Sequence, residues 1–312
     1  MYEKNPFLSN AIMPFQFEDL PIRGRICRVD QALNKIVQQH DYPDGISKFL
    51  GEGIIITVLM ADSIKLKHKL SLQIHGKGDL KLIATDYCIS PIISENPKIR
   101  GYVKFNSTRV DYTDSINSLM HGGYFATILD QGDGNEPYKG ISNLNGVSLT
   151  HAAEEFFINS EQLKTRFWTY IGEELDDRGK IRFNGIGLML QHLPDEKGVS
   201  QDILTENFLG EENWEKILSL LNQTYPEGIN NRKSDFSELL MKIFLDQEIR
   251  VFKEKEFDFG CGCSPEKVVQ TMSIYSKKDL DTMTNSLGKV TADCQFCGAH
   301  YEFDPSDLGQ DD

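Results

Sequence analysis

Phe259-Gly-Cys261-Gly-Cys263-Ser264-Pro265 and, after a spacer of 30 residues beyond Cys263, Cys294-Gln-Phe-Cys297-Gly298 bring four of the six cysteines of the chain into its last sixth. Four thiolates can surround one Zn²⁺ as a tetrahedron with bonds of about 2.3 Å, and thiolates are also the groups that oxidants attack. Cys261, Cys263, Cys294 and Cys297 therefore read as ligands of one zinc ion, and the centre as a structural clip, a redox switch, or both. Gly262 frees the chain to turn two nearby sulfurs toward a common centre, and the second CxxC predicts a tight reversal with both sulfurs on one side.

The spacer supports a small folded unit. Ser264 followed by Pro265 predicts a helix start carrying Val268, Val269 and Met272. Ser276 with Asp279 predicts a second helix carrying Leu280, Met283 and Leu287 up to Gly288. Val290–Asp293 predicts a strand, with Tyr301 and Phe303 alternating in the strand that returns. These side chains are expected to form a core too small to be stable alone, so that metal binding supplies much of the folding free energy. Residues 251–312 hold 6 basic and 12 acidic residues, which argues against a nucleic-acid finger.

Upstream, Asp195-Glu-Lys-Gly-Val-Ser-Gln-Asp202 is polar, and helical periodicity then returns. Trp214, Ile217, Leu218 and Leu221 fall on one helix face. Tyr225-Pro-Glu-Gly-Ile-Asn-Asn punctuates the chain. Asp235 with Glu238 forms a capping box opening a helix with Phe236, Leu239, Leu240, Ile243 and Phe244. Residues 192–250 thus read either as an ordinary helical connector or as an amphipathic linker able to leave its docking site. The docking or client contacts expected of it are Trp214, Ile217, Leu218, Leu221, Phe236, Leu240, Ile243 and Phe244.

Residues 1–191 read as a large mixed α/β domain with antiparallel sheets, so the fold class is α+β: this domain, the helical linker, and a small four-cysteine zinc domain over 251–312. Strands are predicted at Ile22–Val29, Gly53–Met60, Leu70–His75, Leu80–Ala84 and Tyr124–Leu129, and helices at Ala32–Gln39 and about 149–165. Ser71-Leu-Gln-Ile-His-Gly-Lys-Gly78 and the following residues alternate about a glycine-rich turn, as a hairpin does. His75-Gly-Lys-Gly78 lacks the spacing of a phosphate loop, and neither cysteine pair sits in the βαβ context of a thioredoxin. The seven histidines show no ligand spacing.

The formal net charge of −14 disfavours passive nucleic-acid binding and suits protein clients. No basic-then-apolar leader opens the chain, and Ile54–Ala61, its longest apolar run, is too short to span a bilayer, so a cytoplasmic protein is expected. Six cysteines are too few for a disulfide scaffold.

The cysteine signature, together with Arg23-Gly-Arg25, Tyr42-Pro43, Gly51-Glu52, Ser71–Gly78, Tyr138-Lys-Gly140, Gly146-Val-Ser-Leu149, Ser160-Glu-Gln162 with Thr165, and Gly187-Leu-Met-Leu-Gln191 with Leu193-Pro194, closely resembles the heat shock protein 33 family over nearly the whole chain. That family comprises bacterial redox-regulated holdase chaperones. The resemblance implies a reduced form that binds one Zn²⁺ and is largely inactive. It implies oxidation to Cys261–Cys263 and Cys294–Cys297 disulfides, zinc release, and unfolding of the zinc domain and linker. Exposed surfaces then hold unfolded or aggregation-prone clients under oxidative stress, in a homodimeric form. No enzyme activity, nucleotide, nucleic acid or membrane belongs to this picture. Cys27 and Cys88 lie outside the motif and are expected to be buried structural thiols, and the linker is acidic and extended for the family. The competing reading is a constitutive zinc-containing protein-binding or scaffold protein.

Overall fold

The computed structural model describes residues 10–106, 116–132, 134–144, 148–194, 203–225 and 234–308. The polar stretch 195–202 and the punctuation at 226–231 lie outside the described residues.

After a short helix α1 (Gln31–Gln38) the chain enters α2 (Asp44–Ser63), and this overturns the strand expected at Gly53–Met60. Periodicity is silent there because the helix is covered on both sides. Strands β2 (Ile22–Val29), β8 (Thr165–Leu175) and β9 (Ile181–His192) pack on one side of it, and β3 (Lys69–Gly76), β4 (Leu80–Cys88) and β5 (Lys98–Phe105) on the other. Ile46, Leu50, Ile54, Ile55, Ile56, Val58 and Leu59 are consequently sealed from solvent in the main core. Gly187 allows the close approach, since a Cβ there would stand 2.1 Å from Cγ2 of Ile55.

The first sheet runs β10-β1-β2-β9-β8, with β1 at Ala11–Phe17 and β10 at Ile249–Val251; β11 (Lys255–Glu256) also pairs with β1. The second runs β12-β5-β4-β3-β6-β7, with β6 at Gly123–Asp130, β7 at Tyr138–Asn143 and β12 at Asp258–Phe259. The expected hairpin is β3–β4, antiparallel from Lys69↔Cys88 to His75↔Leu82. Two further helices, α3 (Ile116–Met120) and α4 (Leu149–Phe156), add Leu119, Met120, Leu149 and Phe156 to the core. The helix expected over 149–165 ends early: a π-turn at Phe157–Glu161 leads to Gln162 in the left-handed region (φ 54°), and β8 begins at Thr165.

The outer face of the first sheet carries a second apolar layer. Met13, Phe15, Phe17, Ile22, Ile26, Leu188 and Leu190 meet the helices α5 (Ile203–Thr224) and α6 (Phe236–Ile243). The N-cap half of the expected capping box is present, with Asp235 Oδ1 accepting from the Glu238 amide at 2.8 Å.

A strap, Ile249–Phe259, then crosses the molecule. Its β10 pairs antiparallel with β1 (Val251↔Phe15) and its β12 pairs parallel with β5 (Asp258↔Lys98, Phe259↔Ile99). Between them Phe257 is fully buried in the main core. Lys255 Nζ reaches Asp62 at 2.6 Å, whose other oxygen takes Arg25 Nε at 2.9 Å, and Arg250 holds Glu18 through two nitrogens. Among the described residues no helix is long and apolar enough to cross a membrane.

Candidate metal centre

The strap delivers the first cysteine pair. Gly260 continues the β12 pairing by donating to the Ile99 carbonyl at 3.2 Å, so Cys261 emerges beside Arg100 on β5. Ser264 caps α7 (Pro265–Met272), its side chain accepting from the Lys267 amide, and Ser276 caps α8 (Lys277–Thr282) by accepting from the Asp279 amide. Each cap satisfies an otherwise orphaned donor of a short helix.

The second pair sits on a hairpin of β13 (Val290–Asp293) and β14 (His300–Phe303), in register Asp293↔His300. Cys294 donates its amide to Ala299 and accepts from the Gly298 amide at 2.8 Å, closing the reversal. Gly298 supplies the left-handed residue (φ 67°) that the reversal requires.

Among the described residues the core beneath consists of Leu280, Val290 and Leu308, with Val269, Met272 and Phe303 packed partly against it. Met283 and Leu287, expected in that core, are 42% and 80% exposed. The helix α8 ends at Thr282 and the turn that follows points them outward.

All four sulfurs lie within 4.8 Å of one another, so Cys261, Cys263, Cys294 and Cys297 can hold a metal ion. Cys261 and Cys294 stand 3.7 Å apart and Cys263 and Cys297 3.4 Å apart. A tetrahedron with bonds of about 2.3 Å has edges of about 3.8 Å, so the spacing fits Zn²⁺, and an all-sulfur donor set suits that ion. None of the six cysteines is in a disulfide.

The sulfurs are electrostatically unequal. Burial pushes the Cys261 thiol up, with Arg100 pulling the other way. Burial opposes ionisation of Cys263 too, yet hydrogen bonds from Tyr301 and the other three thiols outweigh it and bring it down to about 7. Burial and hydrogen bonding to its neighbours push Cys297 up to about 12. The Tyr301 hydroxyl donates to Cys263 at 3.1 Å.

Of two further groups around the sulfurs, one is invisible in the sequence. Arg100 donates to Cys261 Sγ at 3.3 Å, and Phe296, inside the CxxC, lies under the Arg100 guanidinium at 4.0 Å. Phe296 carries a signal of a kind, an exposed-looking aromatic between two ligands, but Arg100 carries none. Of the remaining cysteines, Cys27 is fully buried as expected, whereas Cys88 is only partly buried and shares a cavity wall with Cys261, Cys263 and Cys294.

The linker residues are gathered elsewhere, on the far face of the first sheet. Trp214, Ile217, Leu218, Leu221, Phe236, Leu240, Ile243 and Phe244 are all buried in one apolar cluster with β1, β2 and β9. Tyr225 and Trp168 brace α5 by donating to the Thr169 carbonyl and to Asn222 Oδ1. Arg28 lies over the Phe236 ring at 5.2 Å and donates to the Ser234 carbonyl.

A family model described as Hsp33 protein matches residues 10–304. The chain is 29% identical over 296 residues to the 33 kDa chaperonin of Nitrosococcus oceani, covering 95% of this chain and 92% of that one. It is 29% identical over 302 residues to the 33 kDa chaperonin of Vibrio vulnificus, covering 97% and 95%. The crystal structure of the 33 kDa chaperonin (heat shock protein 33 homolog) of Thermotoga maritima shares the fold, with a TM-score of 0.76 at 20% identity and 96% of each chain covered.

Proposed function

The chain belongs to the Hsp33 family, and from that premise we propose that it is an ATP-independent holdase chaperone of the cytoplasm whose four-cysteine centre is a redox switch. In this reading residues 1–191 are the chaperone core, 192–250 the regulatory linker and 251–312 the switch module.

Bound Zn²⁺ would hold Cys261, Cys263, Cys294 and Cys297 as thiolates and tie the short helices and hairpin into one unit. An oxidant of the peroxide class takes two electrons from each pair of thiolates. Cys261 joins Cys263 in one S–S bond and Cys294 joins Cys297 in another. Each peroxide takes up two electrons and two protons and leaves as two waters, and the metal is left without ligands. The module, with so small a core, then unfolds.

The single observation that carries the proposal is the apolar layer between α5, α6 and the first sheet. Each large apolar side chain buried there contributes roughly 1.5–3 kcal/mol only while the linker is docked. Once it leaves, both the linker face and the sheet face become a contiguous apolar surface of the kind that captures unfolded chains. The oxidised protein is expected to act as a homodimer.

The test is to measure zinc release, free thiols and suppression of client aggregation on the same samples of reduced and oxidised protein. The reading requires weak suppression when reduced, and strong suppression after oxidation together with loss of about one zinc per chain. Equal activity in both states would favour a constitutive zinc-containing binding or scaffold protein instead.

A further inference from the structure

Strand β5 presents Arg100 and Tyr102 to the cysteine module, and Arg100 is engaged in three directions at once. Its Nε and Nη2 donate to one oxygen of Asp86 at 2.8 and 2.6 Å, and that carboxylate is fixed by the Ser71 hydroxyl at 2.6 Å. Its Nη1 donates to Cys261 Sγ at 3.3 Å. Its plane covers the Phe296 ring at 4.0 Å, while Tyr102 meets the same ring edge-on at 4.8 Å. A ring nitrogen of His40 lies 3.2 Å from the Phe296 carbonyl oxygen. One core side chain therefore touches both halves of the cysteine set, a ligand from the first pair and the aromatic residue enclosed by the second.

We propose that Arg100 is a positioning residue that reads the oxidation state of Cys261, holding the module against β5 while that sulfur is an anionic thiolate and releasing it when the sulfur enters a disulfide. The inference rests on the redox reading above. A guanidinium donating to an anion makes a charge-assisted hydrogen bond. When Cys261 and a second thiolate together give two electrons to hydrogen peroxide and form an S–S bond, the peroxide takes up two protons from solvent and leaves as two waters, and Cys261 becomes a neutral, weak acceptor. Arg100 keeps Asp86 as its partner, so release leaves no buried unpaired charge on the core. The contact can thus be lost without a compensating penalty, as a latch requires. Phe296 makes the response common to both pairs, because the stacking that Arg100 provides depends on where the second CxxC sits.

The experiment is hydrogen exchange by mass spectrometry on the full-length, reduced, zinc-loaded protein, following residues 258–263, 294–299 and 98–105. Arg100→Gln is expected to exchange about tenfold faster than wild type at both cysteine segments, with Arg100→Lys between them. Added salt should speed exchange in wild type and leave Arg100→Gln unchanged. After complete oxidation, verified by mass, wild type and Arg100→Gln should exchange alike over 98–105. Zinc release under peroxide, followed with a chromophoric chelator, should be faster in Arg100→Gln. Phe296→Leu, which leaves the ligands and the Arg100–Asp86 pair in place, provides a second variant should Arg100→Gln fold poorly, and it should move exchange in the same direction. Wild-type exchange in the reduced variants, or undiminished wild-type protection at 258–263 after oxidation, overturns the latch. Failure of oxidised wild type to suppress client aggregation overturns the redox reading instead, and leaves the reduced-state measurements standing.

Discussion

The ring of Phe244 stands edge-on to that of Phe17, with centroids 5.1 Å apart, and also contacts Phe15 at 6.1 Å. Phe244 is the residue at which α6 ends, just before the chain turns into the strap. The aromatic triad thus pins the end of α6 against strand β1. Phe244→Ala should weaken docking by about 3–5 kcal/mol, the usual cost of emptying a buried aromatic site. Client aggregation assays are expected to show activity without oxidant, and hydrogen exchange should rise over α5 and α6 with the main core unchanged. A variant inactive when reduced, with native protection of α6, would count against the docked linker as the restraint.

Both tryptophans of the chain touch α5: Trp214 is buried within it, and Trp168 on β8 donates its indole N–H to Asn222 at 3.0 Å. Intrinsic fluorescence is therefore a direct report on the linker. Oxidation with zinc loss should shift the emission to the red, and the shift should persist in Trp168→Phe and shrink in Trp214→Phe. Unchanged emission after full oxidation would mean that α5 stays in place.

If the centre holds Zn²⁺ as proposed, chelation exposes the energetic role of the ion. With Leu280, Val290 and Leu308 alone buried in its core among the described residues, the module lacks the core to stand alone. A strong chelator added to reduced protein should abolish protection of α7 and α8 while leaving β1–β9 protected, and Cys263→Ser or Cys294→Ser should do the same without chelator. Full zinc affinity in either variant contradicts the ligand set.

Burial pushes the Glu52 carboxyl, within α2, up to about 7, with a hydrogen bond to Thr169 offsetting only part of the effect. The folded state thus holds this proton more tightly than the unfolded chain, whose carboxyl has the ordinary value of about 4.3. Stability from this group is complete below that value and is lost as pH rises toward 7, by about 1.4 kcal/mol per pH unit at most. Glu52→Gln should flatten the decline between pH 5 and 7 in urea unfolding. Parallel pH profiles for variant and wild type would place the carboxyl in water.

What the sequence made legible was whatever depends on local spacing. The face made by Trp214, Ile217, Leu218 and Leu221 follows from 3.6-residue periodicity, and the starts at Ser264, Ser276 and Asp235 follow from capping chemistry. The Ser71 hairpin follows from alternation about its turn. What failed was where burial erases the pattern. Ile54–Ala61 is apolar on every side because sheets cover both faces of α2, and a run of that kind does not distinguish strand from helix. The long β8–β9 hairpin escaped for the complementary reason, since glycines at 172, 185 and 187 interrupt its apolar alternation. The gathering of the four cysteines was legible from spacing alone, whereas Arg100 was not. It meets Cys261 across 161 positions only because β12 aligns with β5.

The strap also sets an order of events in synthesis. Lys98 and Asp258, neighbours in the finished sheet, are separated by 160 positions, and the edge of β1 is covered by residues beyond 248. Neither sheet can be complete until this segment has left the ribosome, so the nascent core waits with two open edges. A chaperone built this way passes through an aggregation-exposed stage of its own, the hazard to which late, long-range strand pairing exposes any chain.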